Sequence, residues 1–194
     1  MTAGLIEELK KVRDFRTKKG QRHPLWFVLL LVIMGTMSGC LGYRGLGDFV
    51  KRHKQSLIET LEIPKERVPS YSTIRRVMMR VNFNDLTQVF NCWANQYVEL
   101  SEFEWLATDG KSIKATVKDY SSAYQSFISV VSIFSSKQGL VVGLQTMNNK
   151  QTSEIATVQN LIAALNLKDV VFSFDALHCQ KKLSNKLSTV AMIT

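Results

Sequence analysis

Apolar residues recur at helical spacing through roughly the first hundred positions, then give way to short continuous or alternating runs. Leu5, Leu9 and Val12 share one helical face. From Leu25 to Leu41 the chain runs 17 residues without a charge, LWFVLLLVIMGTMSGCL. Tyr43 to Leu61 carries Leu46, Phe49, Val50, Leu57, Ile58 and Leu61 among polar positions, the pattern of a half-buried helix. Pro64 and Pro69 bound a short linker. Ser70 stands where a helix N-cap would. In the helix it opens, Ile74, Val77, Met78 and Val81 share a face, while Arg75, Arg76, Met79 and Arg80 occupy others. Leu86, Val89, Phe90, Trp93 and Tyr97 complete an all-helical module over residues 1–100.

At Glu104 the period changes. Trp105 to Thr108 reads as a short apolar strand ending at Asp109, and FISVVSIF (127–134) with LVVGLQTM (140–147) flank the turn SSKQG as a hairpin. Thr152 or Ser153 can cap a helix whose buried stripe is Ile155, Val158, Ile162 and Leu165. Val170 to Phe174 (VVFSF) is then a buried strand ending directly at Asp175. The order strand, strand, strand, helix, strand over residues 101–194 makes the chain α+β.

Charge sharpens this division. Residues 1–80 carry 16 Lys and Arg against 7 Asp and Glu, whereas residues 81–194 carry 9 against 9. The whole basic excess of +9 therefore lies in front, which suits a module that binds a polyanion by releasing counterions. Candidates are Arg16, Lys18, Lys19 and Arg22, and Arg75, Arg76 and Arg80 on the 70s helix, which could grip phosphates or enter a groove in the manner of a helix-turn-helix. The run from Leu25 to Leu41 reaches the lower limit for a membrane span. Gly35, Thr36, Ser38 and Gly39 dilute its second half, so a fully buried helix is the reading adopted and no membrane is expected. Cys40, Cys92 and Cys179 are odd in number, widely spaced and without a C-x-x-C pair, which signals neither a disulfide framework nor zinc and fits a reducing cytoplasm. His178 and Cys179 lack partners at ligand spacing and read as packing residues, as do Trp93 and Trp105. His23 and His53 likewise stand without company.

The chemistry lies with the acids. Asp109 and Asp175 each follow an apolar strand; if those strands are neighbours, both carboxylates emerge at one edge of the sheet and need a cation to offset their repulsion. An all-oxygen site suits Mg2+ or Mn2+. Asp after a strand is also an ordinary turn residue, so spacing alone leaves the matter open.

Six segments in one order carry further information: RTKKGQRHPL (16–25), GYRGLGDF (42–49), PSYSTIRRV (69–77), ATDGKSIKA (107–115), NNKQTSEI (148–155) and FDALHCQK (174–181). In this order the chain resembles the ISAs1 family of bacterial insertion-sequence transposases, of DDE type, from about residue 5 to about residue 187. The resemblance implies a helical DDE-transposase-associated domain followed by an RNase H-like catalytic domain, here its first four strands and first helix. Asp109 matches the first catalytic aspartate and Asp175 the second, holding Mg2+ or Mn2+ for DNA strand cleavage and transfer. Glu154 matches the acid of the family's K-x-x-E-I block and is expected to assist the metals, unless it merely favours its helix N-terminus. Lys111 and Lys181 could touch DNA phosphate beside the acids. The implied partner is double-stranded DNA at insertion-sequence terminal repeats, with a second copy or a full-length transposase as a further partner. The family continues to a third acid, a glutamate, beyond Asp175; no glutamate follows Asp175 here, so a truncated copy with little activity is expected. The competing reading is a non-catalytic DNA-binding protein or regulator that acts at element ends.

Overall fold

The computed structural model describes residues 2–63, 66–117, 126–167, 169–174 and 192–193. Its contacts divide the chain into two compact units, Met1–Val89 and Phe90–Thr194.

The first unit is helical because its apolar residues recur every three to four positions and find one another. Helices α1 (Thr2–Lys10), α2 (Leu25–Met37), α3 (Gly42–Arg52), α4 (Lys54–Leu61) and α5 (Tyr71–Met78) surround a core of Leu9, Val12, Phe27, Val28, Leu31, Leu46, Phe49, Val50, Ile74 and Val77. The uncharged run is the centre of that core: Phe27, Val28 and Leu31 are fully buried. Helix α2 stops at Met37, earlier than the run itself, because Gly39 takes a left-handed φ of 77° and leaves Met37 and Leu41 exposed. No single helix among the described residues is long and apolar enough to cross a membrane; one pair, bent by 100°, passes by length and composition only. The helix expected from Tyr43 to Leu61 is broken at His53, whose φ and ψ of −97° and 13° leave the helical region. The break turns Leu57 inward as the buried residue of α4. Ser70 does hold the N-cap position of α5, but its hydroxyl bonds the hydroxyls of Ser72 and Thr73 at 3.0 and 3.2 Å instead of a backbone amide.

Close helix contact requires glycine where α5 meets the α3 backbone. A Cβ on Gly47 of α3 would lie 2.6 Å from Tyr71 Cβ and 3.1 Å from Tyr71 Cα, so the start of α5 rests directly on the α3 backbone.

Helix α6 (Phe83–Asn95) carries the division between the units within its length. The second unit is a sheet of order β3-β2-β1-β4-β5, with α7 (Glu154–Leu165) on one face. Strands β1 (Glu104–Ile113), β2 (Ile128–Ser135) and β3 (Leu140–Asn148) form an antiparallel meander, and β4 (Val170–Phe174) pairs with β1 in parallel. Ser153 caps α7 as expected, its hydroxyl accepting from Ala156 N at 3.2 Å. The core between helix and sheet is Leu106, Val131, Ile133, Val142, Val158, Leu161 and Phe172. The mixed α+β architecture agrees with the order read from the pattern.

Three points differ from expectation. Strand β1 does not end at Asp109 but runs on to Ile113, because its antiparallel partner β2 continues to Ile128. Trp105, expected in a core, is 49% exposed, since strand alternation turns it to the face away from α7. The short strand β5 (Met192–Ile193) pairs with Phe172 and Ser173 in parallel, where the apolar pattern predicts no strand. The outer edge of β3 is satisfied from α6: Asn91 donates to Leu144 O and accepts from Leu144 N, both at 3.0 Å, so its amide acts as a one-residue strand.

Candidate acidic site and basic cleft

Asp109 lies within β1 opposite Ser132 and is exposed. Alternation decides its direction. Leu106 and Thr108 are buried toward α7, and Trp105 and Asp109 take the other face. Lys111, two residues on and also exposed, shares the face of Asp109. The parallel ladder to β4 runs from Glu104↔Val170 to Thr108↔Phe174. The last described pair thus consists of the two residues that immediately precede Asp109 and Asp175 in sequence. Asp175, His178, Cys179 and Lys181 lie outside the described residues.

Glu154 opens α7, and its carboxylate rests against Gly110. A Cβ built on Gly110 would lie 1.6 Å from Glu154 Oε1 and 2.6 Å from its Cδ. Only a glycine at this position admits the acid, which therefore reaches β1 at the residue after Asp109, from the α7 side. Nothing in the sequence pattern announced this approach. Among the described residues no three His, Cys, Asp or Glu gather as a metal site; Glu154 reaches the residue next to Asp109 but on the α7 face, whereas Asp109 takes the opposite face of β1. Oxygen donors at the end of a strand pairing, with side-chain bulk excluded at Gly110, are compatible with a small hard cation.

A third acid in this unit has a structural role. Glu104, buried at the start of β1, accepts from the Ser135 hydroxyl and, at 3.0 Å each, from the Ser101 amide and hydroxyl. The Ser135 bond foremost, helped by those from Ser101, holds its carboxyl below the usual range against the opposing effect of burial.

The basic residues of the first unit converge. A cleft of about 540 Å³ is walled by Phe15, Arg16, Lys19, Arg22 and His23 on one side and by Arg76, Val77 and Arg80 of and after α5 on the other. Two sequence clusters far apart in the chain thereby form one surface; Lys18 and Arg75, both exposed, are not among its walls. The loop is shaped by its own bonds, Gly20 N to Thr17 O at 2.7 Å and Gln21 Nε2 to Arg16 O at 2.8 Å. Arg80 lies 5.2 Å from the Phe15 ring centroid, a cation–π contact across the cleft wall. Arg16 is clamped: Nε and Nη2 donate to the two Asp14 oxygens at 2.8 and 2.7 Å, and Nη2 also donates to His23 O at 2.9 Å. That pairing, chiefly the hydrogen bond, lowers the Asp14 pKa. His23 is buried in the wall, and its pKa is pushed down first by desolvation and then by the positive charges of Arg22, Arg16 and Arg67.

Comparison with known proteins bears on both units. Residues 6–94 match the family model described as DDE_Tnp_1-associated. The Escherichia coli K12 protein YhhI, named as a proposed H repeat-associated transposase, is 27% identical over 183 residues, covering 94% of this chain and 47% of its own length. YbfD of the same strain, named likewise, is 28% identical over 183 residues, with 94% of this chain and 71% of its own length covered. The chain thus spans about half the length of YhhI. Among solved structures, a piggyBac transposase synaptic complex with hairpin DNA aligns with a TM-score of 0.46 at 11% identity, over 97% of this chain and 45% of that one. The family model covers the helical unit, and the relatives named as transposases align across most of the chain.

Proposed function

We propose that this chain is a transposase-type protein of ISAs1 kind, whose second unit is the front of an RNase H-like domain and whose basic first unit holds double-stranded DNA. The observation that carries this reading is the parallel register of β1 and β4. Thr108 lies beside Phe174, the residues that precede Asp109 and Asp175 in sequence; if both strands continued by one residue, the two acids would be neighbours. Two neighbouring carboxylates there would hold Mg2+ or Mn2+; Glu154, which meets β1 at Gly110 from the α7 face, would assist only by reaching past the strand, and Lys111 and Lys181 would meet DNA phosphate nearby. Such ions supply activation of a water or a 3′-hydroxyl and stabilisation of the leaving oxygen in phosphoryl transfer. The residues of this chain contribute placement: a rigid central strand carries Asp109, and a glycine keeps the space beside it open to an acid. The terminal repeats of an insertion sequence are the DNA this reading implies, with a second copy or a full-length transposase as protein partner.

A second reading has its own support in the basic cleft: the chain binds element ends without cutting them. The two readings part in an assay of supercoiled plasmid with Mn2+. Slow nicking that disappears in Asp109→Asn supports the first. Salt-sensitive binding with no nicking in either protein supports the second. Equal nicking by wild type and Asp109→Asn would sink the assignment of Asp109.

A further inference from the structure

Arg16 has a donor that the described residues leave unused. The side chain is only 8% exposed, and two of its three nitrogens are engaged by Asp14 and His23. Nη1 is buried without an acceptor among the described residues. A buried guanidinium N–H without a partner bears its full desolvation penalty, so such a group points to an acceptor supplied from elsewhere. Arg16 lines the basic cleft; Nη1 itself is covered, so an acceptor that enters there reaches it only when the groups covering it move aside. Asp14 already balances the charge of Arg16, so Lys19, Arg22, Arg76 and Arg80 leave the cleft strongly positive. The depressed His23 pKa reports the same field, after the larger effect of burial.

Arginine held rigidly by a carboxylate on one edge is pre-organised to present its remaining donors to a tetrahedral oxyanion. The rim groups are long cationic chains that can close over such a group, and the Ser70 and Thr73 residues at the start of α5 add hydroxyls to the wall. The volume of about 540 Å³ exceeds what one phosphate needs and leaves room for the adjoining sugar.

We propose that the cleft between residues 15–23 and α5 is a phosphate seat, in which one backbone phosphate of a DNA strand is held by Arg16 Nη1 and flanked by Lys19, Arg22, Arg76 and Arg80. The phosphate chemistry stands on the cleft alone; its DNA source rests on the function proposed above. One seated phosphate would fix the register of the helical unit on the duplex, a role that bulk positive charge cannot fill.

The full chain is titrated in chloride buffer with two probes, sodium phosphate followed by amide NMR shifts and a short random-sequence duplex followed by fluorescence anisotropy across a salt series. Arg16→Lys keeps the charge and removes Nη1; Arg76→Ala alters an exposed cleft residue and guards against misfolding of the first variant; Lys51→Ala, exposed on α3 outside the cleft, is the control. Expected are phosphate shifts confined to residues 15–23 and 70–80, and a loss of duplex affinity of roughly tenfold in each cleft variant but not in the control. The slope of log affinity against log salt should fall by about one per lost phosphate contact. If duplex binding is strong but Arg16→Lys and Arg76→Ala match Lys51→Ala, the seat is overturned while the DNA-directed reading stands. If phosphate shifts the cleft but no duplex binds, the site takes free anions and the backbone-phosphate assignment is overturned.

Discussion

Replacing Gly110 with alanine separates the fold from the acidic site. The new Cβ would lie 1.6 Å from Glu154 Oε1, and real Cβ contacts essentially never fall under 3.0 Å. The carboxylate must therefore retreat by about 1.4 Å, the difference between those distances. The atom struck is the far end of a flexible side chain, so the strand need not move. An off-rotamer or alternative Glu154 conformer costs about 0.5–1.5 kcal/mol, and the gain from replacing a strand glycine offsets about 0.5–1 kcal/mol of it. Stability without metal should therefore change by less than about 1 kcal/mol, or about 2–4 °C in Tm. Metal geometry is less forgiving, since ligand distances hold to about 0.2 Å. If Glu154 supports the ion, affinity should fall roughly 10- to 100-fold, as for lost supporting ligands. Thermal melts with and without MnCl2 read both quantities, because an ion that binds only the folded state raises Tm by linkage. The expected result is a near-normal Tm without metal and a much reduced Mn2+-dependent rise. An undiminished rise would remove Glu154 from the site. A metal-free loss above about 3 kcal/mol, the range of overpacked cores, would show that the carboxylate is pinned and that the flexibility argument fails.

Two further outcomes follow from packing and ionisation. Gly47→Ala drives a Cβ into the Tyr71 backbone and should destabilise the chain by about 1–3 kcal/mol. Gly45→Ala, two residues away on the same helix and with nothing nearer than 3.8 Å, should instead stabilise it by up to about 1 kcal/mol through helix propensity; urea midpoints that fail to move in opposite directions would refute the contact. Glu104 ionises more readily in the fold than in the unfolded chain. Its contribution is therefore present above the unfolded value of about 4.3 and is lost as pH falls through the lower folded value. Glu104→Gln should flatten the acid limb of stability against pH, and an unchanged limb would show that Glu104 is not its source.

The hydrophobic pattern gave much of the architecture because burial follows period. Ile74 and Val77 turn inward and Arg75 and Arg76 outward as their spacing requires, and Leu106 and Thr108 alternate with Asp109 as a half-buried strand should. What it could not give were features set by partners distant in sequence. Strand β1 passes Asp109 because β2 supplies hydrogen bonds as far as Ile128, and Asn91 closes the β3 edge from a helix that precedes the sheet in the chain. The candidate acids were readable as Asp after an apolar run, but the seating of Glu154 on Gly110 depends on where α7 lands on the sheet. The basic clusters around Arg16 and Arg76 were each visible as charge; their union in one cleft depends on the fold of α2 and α3 between them.

The central claim is that Asp109 and Asp175 share one ion. Mn2+ titration followed by the electron paramagnetic resonance of the free ion, on wild type, Asp109→Asn, Asp175→Asn and the double variant, tests it most directly. Ligands of one ion are not independent, so each single variant should lower affinity by about tenfold or more and the double variant should be little worse than either. Unchanged affinity in the single variants, or losses that simply add in the double, would contradict a shared site.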